Sequence, residues 1–149
     1  MKIMGDYSLD YVVSEERLHA VVFVLYHQGE VLLEKRKAEK IEDAGMIDIP
    51  GGYIEIGENV KIALEREVNE ELSVLAKNYF YLTCIDYPKT DGRIVKLHYV
   101  CVTQWDGEID ALEAEEVFWQ KIFQKDNLYL NQDRLALSLL ETKLDEIKE

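Results

Sequence analysis

A chain of 149 residues with 48% hydrophobic residues has material for one core, and we read residues 1–149 as a single domain. The formal charge of −13 excludes recognition of a long nucleic acid through a basic surface, and it means that a phosphate-bearing ligand needs a cation as mediator. No apolar run reaches the roughly 20 residues that span a bilayer, and "MKIMGDYSLDY" has no apolar core of a leader, so a cytoplasmic setting without a membrane partner is expected.

In chain order, "LHAVVFVLY" (18–26) is apolar and β-branched and predicts a buried strand. A turn at Gly29 leads into a second strand, "VLLEKR". "KAEKIEDAG" is polar and reads as a loop, and "MIDI" runs into "PGG", which reads as a turn because proline and two glycines are poor interior residues of an element. "YIE" is a short extended piece. From Asn59, a plausible N-cap, to Leu72 the chain predicts a helix whose Val60, Leu64, Val68 and Leu72 form a core stripe. "YFYLTCIDY" and "IVKLHYVCVTQW" predict two strands joined through Asp91-Gly92, and "VFWQ" a shorter one. The end, "NQDRLALSLLETKLDEIKE", predicts an amphipathic helix opened by Asn131, with Leu137, Leu140, Leu144 and Ile147 at helical spacing. Cys84 and Cys101 lack metal-ligand spacing and read as buried thiols. Strands, helix, strands, helix implies an α/β (α+β) fold with helices packed on a mixed or antiparallel sheet.

Within the first helix, Glu67, Glu70 and Glu71 crowd about one turn. At spacings of three and four residues only Glu70 has a basic neighbour, Arg66. Two carboxylates about 5–6 Å apart repel by about 3 kcal/mol at an effective dielectric of about 20, and by less than about 1 kcal/mol in bulk water. The acidic stripe adjoins the core stripe, so water alone is a poor remedy; a counter-charge or a proton is required. An all-oxygen donor set suits a hard divalent cation, Mg²⁺ or Mn²⁺. The flexible "PGG" backbone immediately upstream could add a carbonyl.

These residues resemble the Nudix box, G-x5-E-x7-R-E-U-x-E-E-x-G-U, with U bulky and aliphatic. Gly52 is followed after five residues by Glu58, and after seven more by Arg66-Glu67-Val68-Asn69-Glu70-Glu71-Leu72-Ser73-Val74. One position departs: Ser73 stands where the family has glycine, and a changed turn with an intact site is expected there. Ile47 also replaces the tryptophan often found before the proline. The resemblance covers nearly the whole chain and implies a Nudix-type α/β/α sandwich that hydrolyses a pyrophosphate bond with Mg²⁺, or alternatively Mn²⁺. It implies Glu67, Glu70 and Glu71 as metal ligands, with Gly51 contributing a carbonyl. Glu67 also acts on the attacking water in this reading, Arg66 orients the glutamates, and Glu58 serves as a structural partner of the box at the substrate side. A further acid from "DALEAEEVFWQ" joins the metal: Glu113 first, then Glu116, with Glu115 also available.

The implied partner is a small nucleotide, and a homodimer is compatible with the family. Tyr26, Phe80, Tyr81, Tyr87, Tyr99 and Trp119 are candidates to stack a base, Tyr87 and Trp119 foremost. The compact length resembles MutT-like nucleoside triphosphate pyrophosphohydrolases. An ADP-ribose or nucleotide-sugar pyrophosphatase is the alternative, to which Pro88 is the pointer. A non-catalytic nucleotide sensor disagrees with the complete set of box glutamates, and an enzyme of capped RNA ends with the acidic balance.

Overall fold

The computed structural model describes residues 3–4, 7–37 and 45–148, with side chains over 7–37 and 45–146. The loop expected over "KAEKIEDAG" lies, but for its two end residues, outside the described residues, as does the side chain of Ile147. Among the described residues, eight strands and two helices follow in the order β1 (Ile3–Met4), β2 (His19–His27), β3 (Glu30–Lys35), β4 (Ile47–Asp48), β5 (Gly51–Tyr53), α1 (Val60–Leu72), β6 (Leu75–Pro88), β7 (Ile94–Asp106), β8 (Glu116–Lys121) and α2 (Asn131–Lys148).

The strands lie in the order β1-β6-β7-β2-β3-β4, with β5 also on β2 and β8 on β3. Among the described residues only β2 and β7 run parallel, so the sheet is mixed, as expected. β2 and β3 pair just at their hairpin end, Tyr26 with Val31 and His27 with Glu30. Beyond it they part, β2 taking β5 and β3 taking β4 and β8.

The continuous apolar run of β2 is explained by burial on both faces. Val21, Phe23 and Leu25 pack with Leu32 and with Val60, Leu64, Val68 and Leu72 of α1. Val22 and Val24 pack with Val31, Leu33, Tyr99 and Cys101 and with Ala136, Leu137 and Leu140 of α2. One strand thus serves two cores, and the layers are helix, sheet, helix. Each buried leucine, valine or phenylalanine stabilises by about 1.5–3 kcal/mol relative to exposure. Both cysteines are free and buried, which lifts their thiols to about 12.

Four local expectations are corrected. "PGG" is not simply a turn: Gly51 and Gly52 pair with Val22 and Val21 as part of β5. Glycine is what permits this, because a Cβ on Gly51 would lie 2.5 Å from the Val21 carbonyl oxygen. Ser73 does not alter the helix end; it takes the left-handed geometry itself, at φ 64° and ψ 24°, and its N–H donates to the Asn69 carbonyl. Asn131 is the first residue of α2 rather than its cap, and its side-chain oxygen accepts from Arg134. β6 begins at Leu75, four residues before the expected start, through a bulged stretch around Asn78.

Candidate functional site

The site is built on the core-facing edge of α1. Asn59 caps the helix by accepting from the Ile62 N–H at 2.8 Å. Four-residue spacing from Ala63 then carries Glu67 and Glu71 onto the buried side, next to Val68 and Leu72. Glu67 is 9% exposed and Glu71 7%. The segment between β7 and β8 supplies a third acid. It is pinned to α1 by Asp110 N–H to the Leu72 carbonyl and by Leu112 N–H to the Glu71 carbonyl. Glu115 pins it to β3, its N–H donating to the Lys35 carbonyl and its carboxylate 3.3 Å from Lys35. Glu113 sits between those anchors, and ligand atoms of Glu67, Glu71 and Glu113 lie within 4.8 Å of one another.

Gly52 makes room for this group. A Cβ there would stand 2.3–2.7 Å from the carboxylate atoms of Glu67. A cavity of about 210 Å³ opens at the spot, lined by Gly51, Gly52, Glu67, Glu71 and Glu113 and, from β3 and its extension, Glu34, Arg36 and Lys37.

Electrostatics decide the state of Glu71. Burial first, then the charge of Glu34, then a shared hydrogen bond with Glu67 and its charge push its carboxyl up to about 11. Its Oε2 is nonetheless buried without a hydrogen-bond partner. An orphaned carboxyl oxygen on a residue that lines an acidic cavity with an all-oxygen donor set is an arrangement that fits a hard divalent ion.

Arg66 organises the rim. Its guanidinium donates to both Glu58 oxygens at 2.7 and 2.8 Å, to Glu67 at 2.7 Å, to Glu70 at 3.1 Å and to the Tyr53 carbonyl at 3.2 Å. Glu67 therefore has a basic partner that helical spacing did not reveal. Adjacent residues on a helix diverge, but a long guanidinium held at its far end by Glu58 reaches back over the next carboxylate. Glu58, which also accepts from the Glu55 N–H, is held below the usual carboxylate range chiefly by Arg66. Its carboxylate braces Arg66, and it lines neither cavity described here.

The remaining sequence candidates divide. Glu70 stands outside the close trio, its side chain 53% exposed against Arg66. Glu116 opens β8 opposite Lys35 and is exposed. Trp119 stacks on Trp105 at 5.9 Å and borders His27, away from the acidic cavity. Tyr99 and Tyr81 are bonded to Asp133 and His98. Tyr87, by contrast, lines a second cavity of about 360 Å³ with Arg17, Arg36, Tyr53, Lys89, Asp133 and apolar residues including Val22, Leu97 and Leu130. The two cavities share Gly51, Gly52 and Arg36.

Three buried acids at these cavities escaped the sequence reading: Glu34, Asp133 and Asp48, the last 2% exposed and bound by Arg36 at 2.7 Å. Glu34 is 7% exposed and ends an apolar strand. Asp133 accepts from the Ile49 N–H at 3.0 Å and from the Tyr99 hydroxyl at 2.7 Å, and burial lifts it to about 7. A signal for Asp133 was present: it stands four and seven residues before Leu137 and Leu140, on the core stripe of α2.

The fold and its acidic centre belong to a class of hydrolases of phosphoric anhydrides, and similarity gives the family. A model described as the NUDIX domain matches residues 15–139, and the chain belongs to the Nudix family. It is 30% identical over 102 residues to a CTP pyrophosphohydrolase of Escherichia coli, covering 68% of this chain and 74% of that one. It is 25% identical over 107 residues to an 8-oxo-dGTP diphosphatase of the same organism, covering 72% and 82%. A crystal structure of a MutT NUDIX hydrolase from Burkholderia pseudomallei superposes with a TM-score of 0.74 at 23% identity, over 84% of this chain and 98% of that one, which shows the shared fold. The chain is a Nudix pyrophosphohydrolase, of a family that generally uses divalent metal ions.

Proposed function

We propose that the protein is a Mg²⁺-dependent nucleoside triphosphate pyrophosphohydrolase, which adds water across a pyrophosphate bond and releases a nucleoside monophosphate and pyrophosphate. The observation that carries this reading is that two unlike cavities share Gly51, Gly52 and Arg36 in their walls. The acidic one suits a cation and the phosphates it neutralises. The other is large enough for a nucleoside and carries Tyr53 and Tyr87 as stacking surfaces and an apolar floor. The names of the two relatives, both acting on nucleoside triphosphates, support the same substrate class.

In this reading Glu67, Glu71 and Glu113 hold the ion, with Gly51 at the cavity wall. Glu70, paired here with Arg66, would be a further ligand. The ion would supply charge neutralisation of the phosphates and acidification of water. Glu67 accepts the proton of the attacking water, and Arg66, braced by Glu58, holds Glu67 in place. Mn²⁺, with the same preference for oxygen, should substitute.

The test is a panel of nucleoside triphosphates, ADP-ribose and nucleotide sugars with Mg²⁺, with products separated and identified. Monophosphate plus pyrophosphate from triphosphates is expected. Cleavage of ADP-ribose or sugar nucleotides alone would move the protein to the alternative class. Tight binding without turnover on every compound would make it a sensor.

A further inference from the structure

β4 ends on an acid in apolar company. Asp48 stands opposite Glu34 of β3, between Ile47 and Ile49, which pack with the α2 core, and it is 2% exposed. Its Oδ2 accepts from the Arg36 Nε–H at 2.7 Å. Its Oδ1 is buried with no hydrogen-bond partner. Asp48 lines the 360 Å³ cavity beside Tyr53, Tyr87 and Leu97, and it does not line the acidic one. The other polar groups of that wall are engaged. Asp133 accepts from the Ile49 N–H with one oxygen and from the Tyr99 hydroxyl with the other. The Lys89 amine donates to the Tyr53 hydroxyl at 3.3 Å, and the Arg17 guanidinium lies 4.1 Å over the Tyr53 ring. Among the described residues, Asp48 Oδ1 is therefore the buried side-chain acceptor of this wall that the protein leaves unsatisfied. Such a group costs the empty fold stability, and a ligand that brings a donor removes the cost. A carboxylate held by an arginine only accepts, so a keto oxygen set against it would meet acceptor with acceptor.

We propose that Asp48 selects the nucleobase: its Oδ1 accepts from an exocyclic amino group, so the preferred triphosphates carry cytosine, adenine or guanine rather than uracil or hypoxanthine. The assignment rests on the reading of this cavity as the nucleoside site and names the class of base it takes. The walls common to both cavities are Gly51, Gly52 and Arg36, where phosphates give way to sugar. Asp48 is not among those residues, and the base is the part of the nucleotide farther from the phosphates.

The experiment compares kcat/KM, with Mg²⁺, within pairs of triphosphates that differ by one amino group: CTP against the 2-pyrimidinone riboside triphosphate, ATP against the purine riboside triphosphate, and GTP against ITP. UTP and dCTP complete the panel. Wild type and Asp48→Asn are assayed as full chains, with thermal melts to establish folding. In wild type at least one pair should favour the amino compound by roughly tenfold or more, because a site built around a donor rejects the analogue that lacks it. The Asn side chain can keep its oxygen on Arg36 and offer its NH₂ to the cavity, so in that variant the preference should shrink to within about threefold and UTP should gain on CTP. All three pairs within about threefold in wild type would overturn the proposal and leave the pyrophosphohydrolase reading standing. An equal loss on every substrate in Asp48→Asn, with the ratios unchanged, would also overturn it, since Asp48 would then only brace Arg36. A changed ratio of CTP to dCTP with unchanged amino ratios would assign the contact to the sugar and overturn it likewise. No turnover of any triphosphate by wild type would remove the underlying reading, and the inference with it. If Asp48→Asn does not fold, Asp48→Ser takes its place, where the amino preference should vanish without swinging toward UTP.

Discussion

Glu67 is held on three sides: by the backbone of α1, by Arg66 at 2.7 Å and by the bare backbone of Gly52. Each contact makes a separate prediction. Glu67→Gln keeps the shape and removes the charge; kcat should fall by roughly 10²–10⁴-fold with Tm little changed, as steady-state kinetics and thermal melting would show. Near-wild-type turnover would take Glu67 out of the chemistry. Gly52→Ala would push the Glu67 carboxylate aside, and because that group is the end of a side chain, the fold should survive while Mn²⁺ affinity drops. Gly51→Ala should do the reverse and cost stability, because its Cβ meets the Val21 carbonyl of the adjoining strand. Ser73 bears a left-handed backbone in a side-chain-bearing residue, so Ser73→Gly should stabilise by about 1 kcal/mol in urea unfolding, with activity unchanged.

At the scale of elements, a polar chain runs across β6, β7 and β2, the last two being the parallel pair. Tyr81 hydroxyl lies 2.7 Å from His98 Nδ1, and His98 Nε2 lies 2.8 Å from His19 Nδ1. His98 is fully buried; desolvation, then His19, then Lys96 depress it to about 3. The folded chain therefore takes up this proton only near pH 3, whereas the unfolded chain takes it up near 6.5. The stability involved is present above pH 6.5 and is lost as pH falls from there toward 3. At about 1.4 kcal/mol per pH unit the loss is bounded at roughly 5 kcal/mol. Urea midpoints measured from pH 7.5 to 4.5 should decline in wild type and decline less in His98→Gln. Parallel declines would place the acid sensitivity elsewhere.

For the molecule as a whole, a charge of −13 and a cluster of three carboxyl groups, Glu67 and Glu71 buried and Glu113 exposed, oppose folding without a counter-charge. A cation that binds only the folded chain stabilises it by about 2.7 kcal/mol at a hundred times its Kd, which for about 150 residues is a rise of roughly 5–10 °C in Tm. Mg²⁺ or Mn²⁺ should produce that rise well beyond NaCl of equal ionic strength. Equal effects would reduce the ion to general screening. Within the core on the α2 face, Asp133 links the start of α2 to Ile49, just before β5, and to Tyr99 of β7.

The layered architecture was legible along the chain because burial on one or two faces writes itself as a period. β2 reads as a continuous apolar run, α1 as a stripe every four residues, and the spacing from Gly52 to Val74 carries the family and the carboxylates of one helix face. Those are local facts, set by the pitch of a helix and the pleat of a strand. Tertiary contacts alone decided that the 107–115 segment presents Glu113 while Glu115 turns to Lys35, that Arg66 reaches Glu67, and that β3 delivers Glu34 and α2 delivers Asp133 to the two cavities. They also decided that two glycines expected to turn the chain lie flat against β2. The physical reason is range: periodicity reports which side chains share one face of one element, whereas a site assembled from four elements depends on hydrogen bonds and packing between residues distant in the chain.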